Sequence, residues 1–255
     1  MEADRKIEQL AKLIATSKKI VAFSGAGIST ESGIPDFRSP GGIWSKFNPA
    51  DFSIDKYLND PEARNKQWRF LLNNPEIYDA KPNSAHFAVA QIEAMGKLLC
   101  IITQNIDNLH QKAGSSTKSI YELHGNIGNM ICLDCSHKFV TANIIANCRD
   151  SQVMPTCENC GRLLKPDVVL FGETLSPETL SGANNCAREC DLFIVIGSSL
   201  VVYPAAYIPA YAQQSGAKVV IINIGETSFD KNADILIRES AGKVMSEVLS
   251  LLDTL

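Results

Sequence analysis

The sequence predicts an α/β fold: a parallel sheet with helices on both faces, interrupted by a smaller inserted unit. Two observations lead there. Short apolar runs at 19–23, 98–102, 192–196 and 218–223 alternate with segments of helical periodicity, the pattern of strands covered on both faces by crossover helices. Between residues 126 and 164 the alternation gives way to paired cysteines.

Taken in order, Ile7, Leu10, Ala11 and Ile14 recur at helical spacing within 4–17 and predict a surface helix. The first strand follows at 19–23. Ser39-Pro-Gly-Gly-Ile-Trp44 reads as a turn-rich loop. The polar and aromatic stretch 50–80, with Trp68, Phe70, Leu71 and Leu72, reads as helices covering a cleft. A helix opens at Lys81-Pro82-Asn83 and runs to Met95, with Pro near its start and Gly96 past its end. The second strand leads into Thr103–His110, and a short strand over 119–125 ends in His124-Gly125. Beyond the cysteine segment, 167–173 returns to strand, 176–189 suits a helix, and 192–196 is a strand ending at Gly197-Ser-Ser199. A helix over 205–214, a strand over 218–223 and a closing helix over 240–252 complete the chain. In such sheets ligands sit beyond the carboxyl ends of the strands, where the polar clusters fall.

Length and composition narrow the class. A chain of 255 residues with 45% hydrophobic and 20% charged residues is that of a globular protein with a sizeable core. A net charge of −4 argues against a general nucleic-acid or anionic-membrane binder. No apolar run reaches the ~18 residues of a membrane span, and the charged start is unlike a signal peptide. The expected location is the cytoplasm. There, eight cysteines point to metal or free thiols before disulfides.

Cys132-x-x-Cys135 and Cys157-x-x-Cys160 carry the metal signal, with 21 residues between the pairs. Four thiolates close a tetrahedral zinc sphere and leave no position for water, so one structural ion is expected. It would fold a module too small for a core of its own. Cys100 reads as a core thiol, Cys186 and Cys190 as packed or free, and His137 as exposed.

The stretch Ser24–Arg38 follows the first strand and holds Gly25, Gly27 and Gly33. Gly25 and Gly27 would let a ligand approach the main chain, and a helix starting near Ile28 would offer free N–H groups to phosphate. Thr30 stands where the dinucleotide fingerprint has Gly or Ala, which argues against a hydride-transfer site. Plain readings exist beside the functional ones. Asn105 and Asp107 also fit a helix cap, Asp36 to Arg38 a loop ion pair, and Glu173 a solvated charge. His86 fits a capping or packing role, and His110 a helix end.

Taken jointly, Gly25-Ala-Gly-Ile-Ser29, Gly33-Ile-Pro-Asp-Phe-Arg38, Thr103-Gln-Asn-Ile-Asp-Asn-Leu-His110, His124-Gly125, the two cysteine pairs, Phe171-Gly-Glu173, Gly197–Pro204 and Asn223 fall in the order seen in sirtuins. The resemblance covers essentially the whole chain. Sirtuins are NAD-dependent protein-lysine deacylases. The resemblance implies a large Rossmann-like part over 1–38, 82–125 and 165–255. It also implies a small domain from a helical insertion, 39–81, and a zinc ribbon, 126–164, with the acyl-lysine peptide entering between the two.

It also implies residue roles. Gly25, Ala26, Gly27, Thr30, Asp36, Phe37 and Arg38 would form a cofactor loop, with Phe37 shielding the ribose and Arg38 near phosphate. Gln104, Asn105, Ile106 and Asp107 would line the ribose and nicotinamide pockets, with Asp107 gripping the carboxamide and Asn105 ordering the ribose. Gly197, Ser198, Ser199, Asn223, Ile224, Gly225 and Ala241 would hold phosphates and adenosine. His124 would be the general base, with Asn105 and Asp107 completing the catalytic set. Val169, Phe171, Gly172 and Glu173 would pair with the substrate peptide. NAD would be consumed, its nicotinamide released and the acyl group passed to ADP-ribose. Trp68 and Leu71 fall near the place where members acting on succinyl or malonyl groups carry Tyr and Arg. An acetyl or other uncharged acyl group is therefore expected. Mono-ADP-ribosyl transfer and non-enzymatic NAD sensing are the rival readings. Product identification and His124→Ala separate them.

Overall fold

The computed structural model describes residues 2–148 and 153–254. Its strands are β1 (Ile20–Ser24), β2 (Leu98–Thr103), β3 (Ile120–Glu122), β4 (Gly125–Cys132), β5 (Lys138–Val140), β6 (Leu164–Val168), β7 (Leu192–Ile196), β8 (Lys218–Ile222) and β9 (Ile235–Ile237). The helices are α1 (Glu2–Thr16), α2 (Ile54–Asn59), α3 (Pro61–Asn73), α4 (Glu76–Asp79), α5 (Ser84–Ala94), α6 (Leu109–Lys112), α7 (Thr141–Cys148), α8 (Pro177–Glu189), α9 (Ile208–Gln214) and α10 (Ala241–Leu252). No described helix is long and apolar enough to cross a membrane.

Six strands form one parallel sheet in the order β3-β2-β1-β7-β8-β9. Side chains alternate across it. Ile20 and Ala22 of β1 join Ile7, Leu10 and Ile14 of α1, Val89 and Ile92 of α5 and Val244 and Val248 of α10 on one face. Val21 and Phe23 join Ala183 and Ala187 of α8 and Ile208 and Ala212 of α9 on the other. From β1 the chain builds outward through β2 and β3. It then returns to build through β7, β8 and β9 on β1's other side. The β1/β7 boundary is thus the topological switch point, where α/β sheets bind ligands beyond the strands' carboxyl ends.

The second sheet, β5-β4-β6, is antiparallel. Its core is shared with the helical insertion: Tyr57, Trp68 and Leu71 pack with Met130, Ile144 and Leu164. The Tyr57 hydroxyl also donates to the Leu164 carbonyl.

Four local expectations change. The strand expected over 167–173 is β6, four residues of which precede or begin that range, and it pairs with β4, Pro166 opposite Met130. Proline lacks an N–H to donate and is tolerated because β6 is an edge strand. The cysteine segment holds a helix, α7, whose Ile144 and Ile145 are buried. Strand β9 lies where no element was expected; its three residues are too short for a period to show. No α-helix starts near Ile28. Two 3-10 turns, Ala26–Ile28 and Thr30–Ser32, stand there instead, so no helix macrodipole is available in that stretch.

Candidate active site

A cavity of about 340 Å³ opens at the carboxyl ends of β1 and β2 and is closed on its far side by the small unit. Of the expected site residues, Ala26, Phe37, Arg38, Gln104, Asn105 and Ile106 line it. So do Asp107, His124, Val169, Phe171, Gly172 and Glu173.

The floor is a hydrogen-bonded set drawn from two loops. Ser29 Oγ donates to Asp107 Oδ2 at 2.7 Å, and Asn105 Nδ2 reaches Ser29 Oγ at 3.1 Å and the Gly25 carbonyl at 3.2 Å. Asp107 Oδ1 accepts from Leu109 N–H at 2.9 Å, so Asp107 both caps the short turn of α6 and faces the cavity. Burial raises its carboxyl above the ordinary value, opposed by the Leu109 and Ser29 hydrogen bonds. Ser29, which the sequence reading left without a role, ties the whole set together. Its signal was its place in the glycine turn, two residues after Gly27.

His124 stands in the turn between β3 and β4. Its Nδ1 lies 2.8 Å from the Gln104 carbonyl. A carbonyl only accepts, so Nδ1 carries the proton and the neutral ring keeps its lone pair on Nε2. Burial lowers the ring's pKa, and the hydrogen bond to Gln104 pulls the other way. Gly125 explains why His-Gly is a unit. It has φ +76°, and a Cβ there would lie 2.2 Å from the Asp167 carbonyl, where β4 meets β6. Val169 N–H then donates to the His124 carbonyl at 2.8 Å.

The expected peptide edge is more self-engaged than the sequence implied. Phe171 N–H donates to Phe52 O at 3.1 Å, and Phe171 O accepts from Ile54 N–H at 2.9 Å. Its main chain is therefore paired with the helical insertion, and its ring lies 5.9 Å from that of Trp44. Glu173 is no solvated charge. It pairs with Lys165 Nζ at 3.0 Å and accepts from Leu170 N–H at 2.7 Å. Trp44, Phe52, Phe70 and Leu71 supply the apolar wall, while Trp68 is fully buried behind it.

The remaining cofactor candidates lie outside the cavity lining. Gly25 and Gly27 have a packing role of their own. A Cβ on either would come within 2.8 Å of the Gly197 backbone, so they serve the contact of the β1 and β7 loops. Thr30 donates to the Gly27 carbonyl, and Gly197 has φ +65°. Ser198 Oγ donates to Gln104 Oε1 at 2.7 Å, linking the β7 loop to the floor. The Ser199 carbonyl accepts from Ser228. Asp36 forms no ion pair with Arg38 among the described residues. It accepts from the N–H groups of Arg38 and Ser39 instead. After β8, Asn223 Nδ2 donates to Gly225 O at 2.8 Å and Ile224 is exposed. At the start of α10, Ala241 is buried, and the next N–H, on Gly242, donates to Glu31 at 2.6 Å. A carboxylate of the chain itself thus occupies that anion-favouring position.

The four expected metal ligands converge. The Sγ atoms of Cys132, Cys135, Cys157 and Cys160 all lie within 4.8 Å of one another. Cys132 and Cys160 are 3.4 Å apart, and Cys135 and Cys157 are 3.8 Å apart. Tetrahedral zinc with bonds of about 2.3 Å holds its thiolates roughly 3.8 Å apart, so the cluster fits one closed, structural zinc. Cys100 is buried and His137 exposed, as expected.

Known proteins share this arrangement. The family model described as Sir2 family matches residues 25–204. An NAD-dependent protein deacetylase of Thermodesulfovibrio yellowstonii is 45% identical over 97% of this chain and 95% of its own length. Among solved structures, one described as "Structural Basis for the Mechanism and Regulation of Sir2 Enzymes" superposes with a TM-score of 0.89 at 41% identity, covering 98% of this chain and 99% of that one. Another, "Sir2 bound to acetylated peptide", has a TM-score of 0.86 at 38% identity, covering 96% and 98%. Fold, motif order and near-complete coverage agree, and the chain belongs to the Sir2 family.

Proposed function

We propose that His124, Asn105 and Asp107 carry out NAD-dependent removal of acetyl or other uncharged acyl groups from protein lysines. The observation that carries this is the floor itself. A neutral histidine with a free Nε2, a carboxamide and a buried carboxyl face one cavity whose far wall is apolar. The family's curated relatives act as NAD-dependent deacetylases, and this chain is an enzyme of that class. When bound, NAD supplies an electrophilic ribose carbon and nicotinamide as leaving group.

The chain's own groups do the rest. Asp107 holds the nicotinamide end through its carboxyl, and Asn105 orients the ribose from its anchors on Ser29 and Gly25. The Nε2 lone pair of His124 takes a proton from a ribose hydroxyl. Positioning supplies much of the lowered barrier, and the aromatic rings of Phe37, Trp44 and Phe171 pack together along the cavity. From α3 the wall receives Gln67, Phe70 and Leu71, which suits an uncharged acyl group. The large sheet would carry NAD and, at its junction with the small unit, His124, and the acyl-lysine would enter between the two. Acetylated lysine proteins are the partners; nucleic acid and membranes are not. A thiolate cluster needs a reducing compartment, which supports the cytoplasm.

One assay tests the reading: an acetyl-lysine peptide incubated with and without NAD. Free lysine, nicotinamide and O-acetyl-ADP-ribose in equal amounts are expected. An ADP-ribosylated acceptor, or NAD bound without turnover, would overturn it. Comparable turnover of succinyl-lysine would overturn the acyl preference.

A further inference from the structure

Behind the floor, and outside the cavity lining, two histidines sit ring to ring. His86 is 0% exposed and His110 2%, and their centroids are 5.1 Å apart at 63°. Each leaves one nitrogen, His86 Nε2 and His110 Nδ1, with no hydrogen-bond partner among the described residues. Buried polar atoms without partners are uncommon, and two on adjacent rings call for one explanation.

The neighbouring bonds assign the protons. Asn83 N–H donates to His86 Nδ1 at 3.3 Å, the reciprocal half of the α5 capping box. His86 Nδ1 therefore holds a lone pair, and the neutral ring carries its proton on Nε2. On the other ring, His110 Nε2 lies 2.8 Å from Ser24 Oγ. Ser24 gives its single proton to Thr103 Oγ1, also at 2.8 Å. Ser24 must then accept from His110 Nε2–H, which leaves Nδ1 as the lone pair. The two orphan atoms, a donor on His86 and an acceptor on His110, are not hydrogen-bonded to each other, and the rings meet by packing alone. Burial keeps both rings neutral, pushing His86 down to about 4 and His110 to about 3.

From His110 the bonds reach the site. Thr103 Oγ1 also accepts from Asn105 N–H at 3.0 Å. Asn83 Nδ2 meanwhile clamps the Ile28 carbonyl and Ser32 Oγ, at 2.7 and 2.9 Å. The start of α5 thus clamps the glycine loop, and His110, packed against His86, reaches the 103–107 loop through Ser24 and Thr103.

We propose that His110, its neutral ring packed against His86, is a positioning residue whose relay through Ser24 and Thr103 fixes the backbone of Asn105 and with it the ribose-facing floor. The proposal rests on the deacetylase reading for its kinetic consequence but not for its proton assignment.

The experiment therefore has two arms. The chain has only four histidines, so ring-nitrogen NMR of the 15N-histidine-labelled, zinc-loaded protein resolves each tautomer. Both His86 and His110 are expected to be neutral and protonated on Nε2 at pH 7. A charged ring, or a proton on His110 Nδ1, overturns the relay whatever the activity. In the second arm, His110→Phe is expected to lower kcat for nicotinamide release about ten-fold while the peptide KM stays within about two-fold. His110→Gln, which restores a donor to Ser24, is expected to recover most of kcat. Ile208→Ala, in the helix layer on the other face of the sheet, serves as a control for lost stability. If His110→Phe costs no more kcat than a control of equal melting temperature, or if His110→Gln fails to recover it, the relay is overturned. A wild-type protein that releases no nicotinamide would refute the deacetylase reading and leave the NMR outcome to decide the relay.

Discussion

Ser29 Oγ and Asp107 Oδ2, 78 residues apart in the chain, meet at 2.7 Å beneath the cavity. This bond holds a carboxyl where burial disfavours its charge. Burial raises the folded-state pKa of Asp107. Its contribution to stability is therefore full below the unfolded value of about 3.9 and is lost as pH rises through the folded value. At neutral pH the group costs stability.

Asp107→Asn should make this visible. The amide keeps the acceptor for Leu109 and gains a donor for Ser29. The variant is expected to be more stable than wild type by about 1 kcal/mol at pH 7, with the advantage shrinking on acidification. Nicotinamide release should fall about a hundred-fold, the scale of losing one charged group in a water-excluded site. Calorimetric melting at pH 7 and pH 5, beside initial rates, checks both parts.

For His124 the shift has the opposite sign, since burial lowers its pKa. As a base it stays unprotonated below the ordinary value of about 6.5. The acidic limb of kcat/KM should therefore lie below pH 6.5, and His124→Ala should cost about 10²- to 10⁴-fold in rate. Two other buried histidines, His86 and His110, are lowered to about 4 and about 3. Stability from these depressed groups is present above about 6.5 and is lost as pH falls through their folded values. An acid titration followed by circular dichroism should show destabilisation setting in below about pH 6.5 and levelling off once the pH has passed below their folded values. An acidic limb centred above pH 6.5 would count against the assignment of His124.

Zinc removal should reach the active site although the four cysteines are remote from it. The small sheet is clamped between the metal cluster and His124: Cys132 pairs with Leu164 at one end, and Gly125 with Val168 at the other. A chelator strong enough to strip the ion should abolish deacetylation and lower the melting temperature. Adding back one equivalent of zinc should restore both. Retained activity in a verified zinc-free protein would show that β4 and β6 hold their register without it.

Lys165→Met tests the substrate edge. Lys165 is 5% exposed and links the Val168 carbonyl to Glu173, which in turn accepts from Leu170 N–H. Removing it leaves a partly buried carboxylate unpaired, at about 2 kcal/mol after allowing for the residual exposure of Glu173. The peptide KM should rise about ten-fold with the NAD KM little changed. An equal rise in both would mean that the clamp supports the fold as a whole rather than the peptide edge.

The sequence by itself determined the parallel sheet, the covering helices, the zinc ligands and His124. Each rests on a local pattern. Buried strands read as apolar runs, two C-x-x-C pairs in one segment present four thiolates to one ion, and His-Gly after a strand marks a turn. Tertiary structure decided what local patterns do not encode. Gly25 and Gly27 read from the sequence only as turn residues, and the close approach of Gly197 that requires them appears only in the fold. Glu173 reads as a surface charge until Lys165 is brought beside it. Ser29 gains its role only when the β1 and β2 loops converge on Asp107, and the His86–His110 contact joins two helices that no sequence period relates. Side-chain periodicity reports burial within an element, whereas a hydrogen bond between loops 78 residues apart exists only once the sheet has set the distance between them.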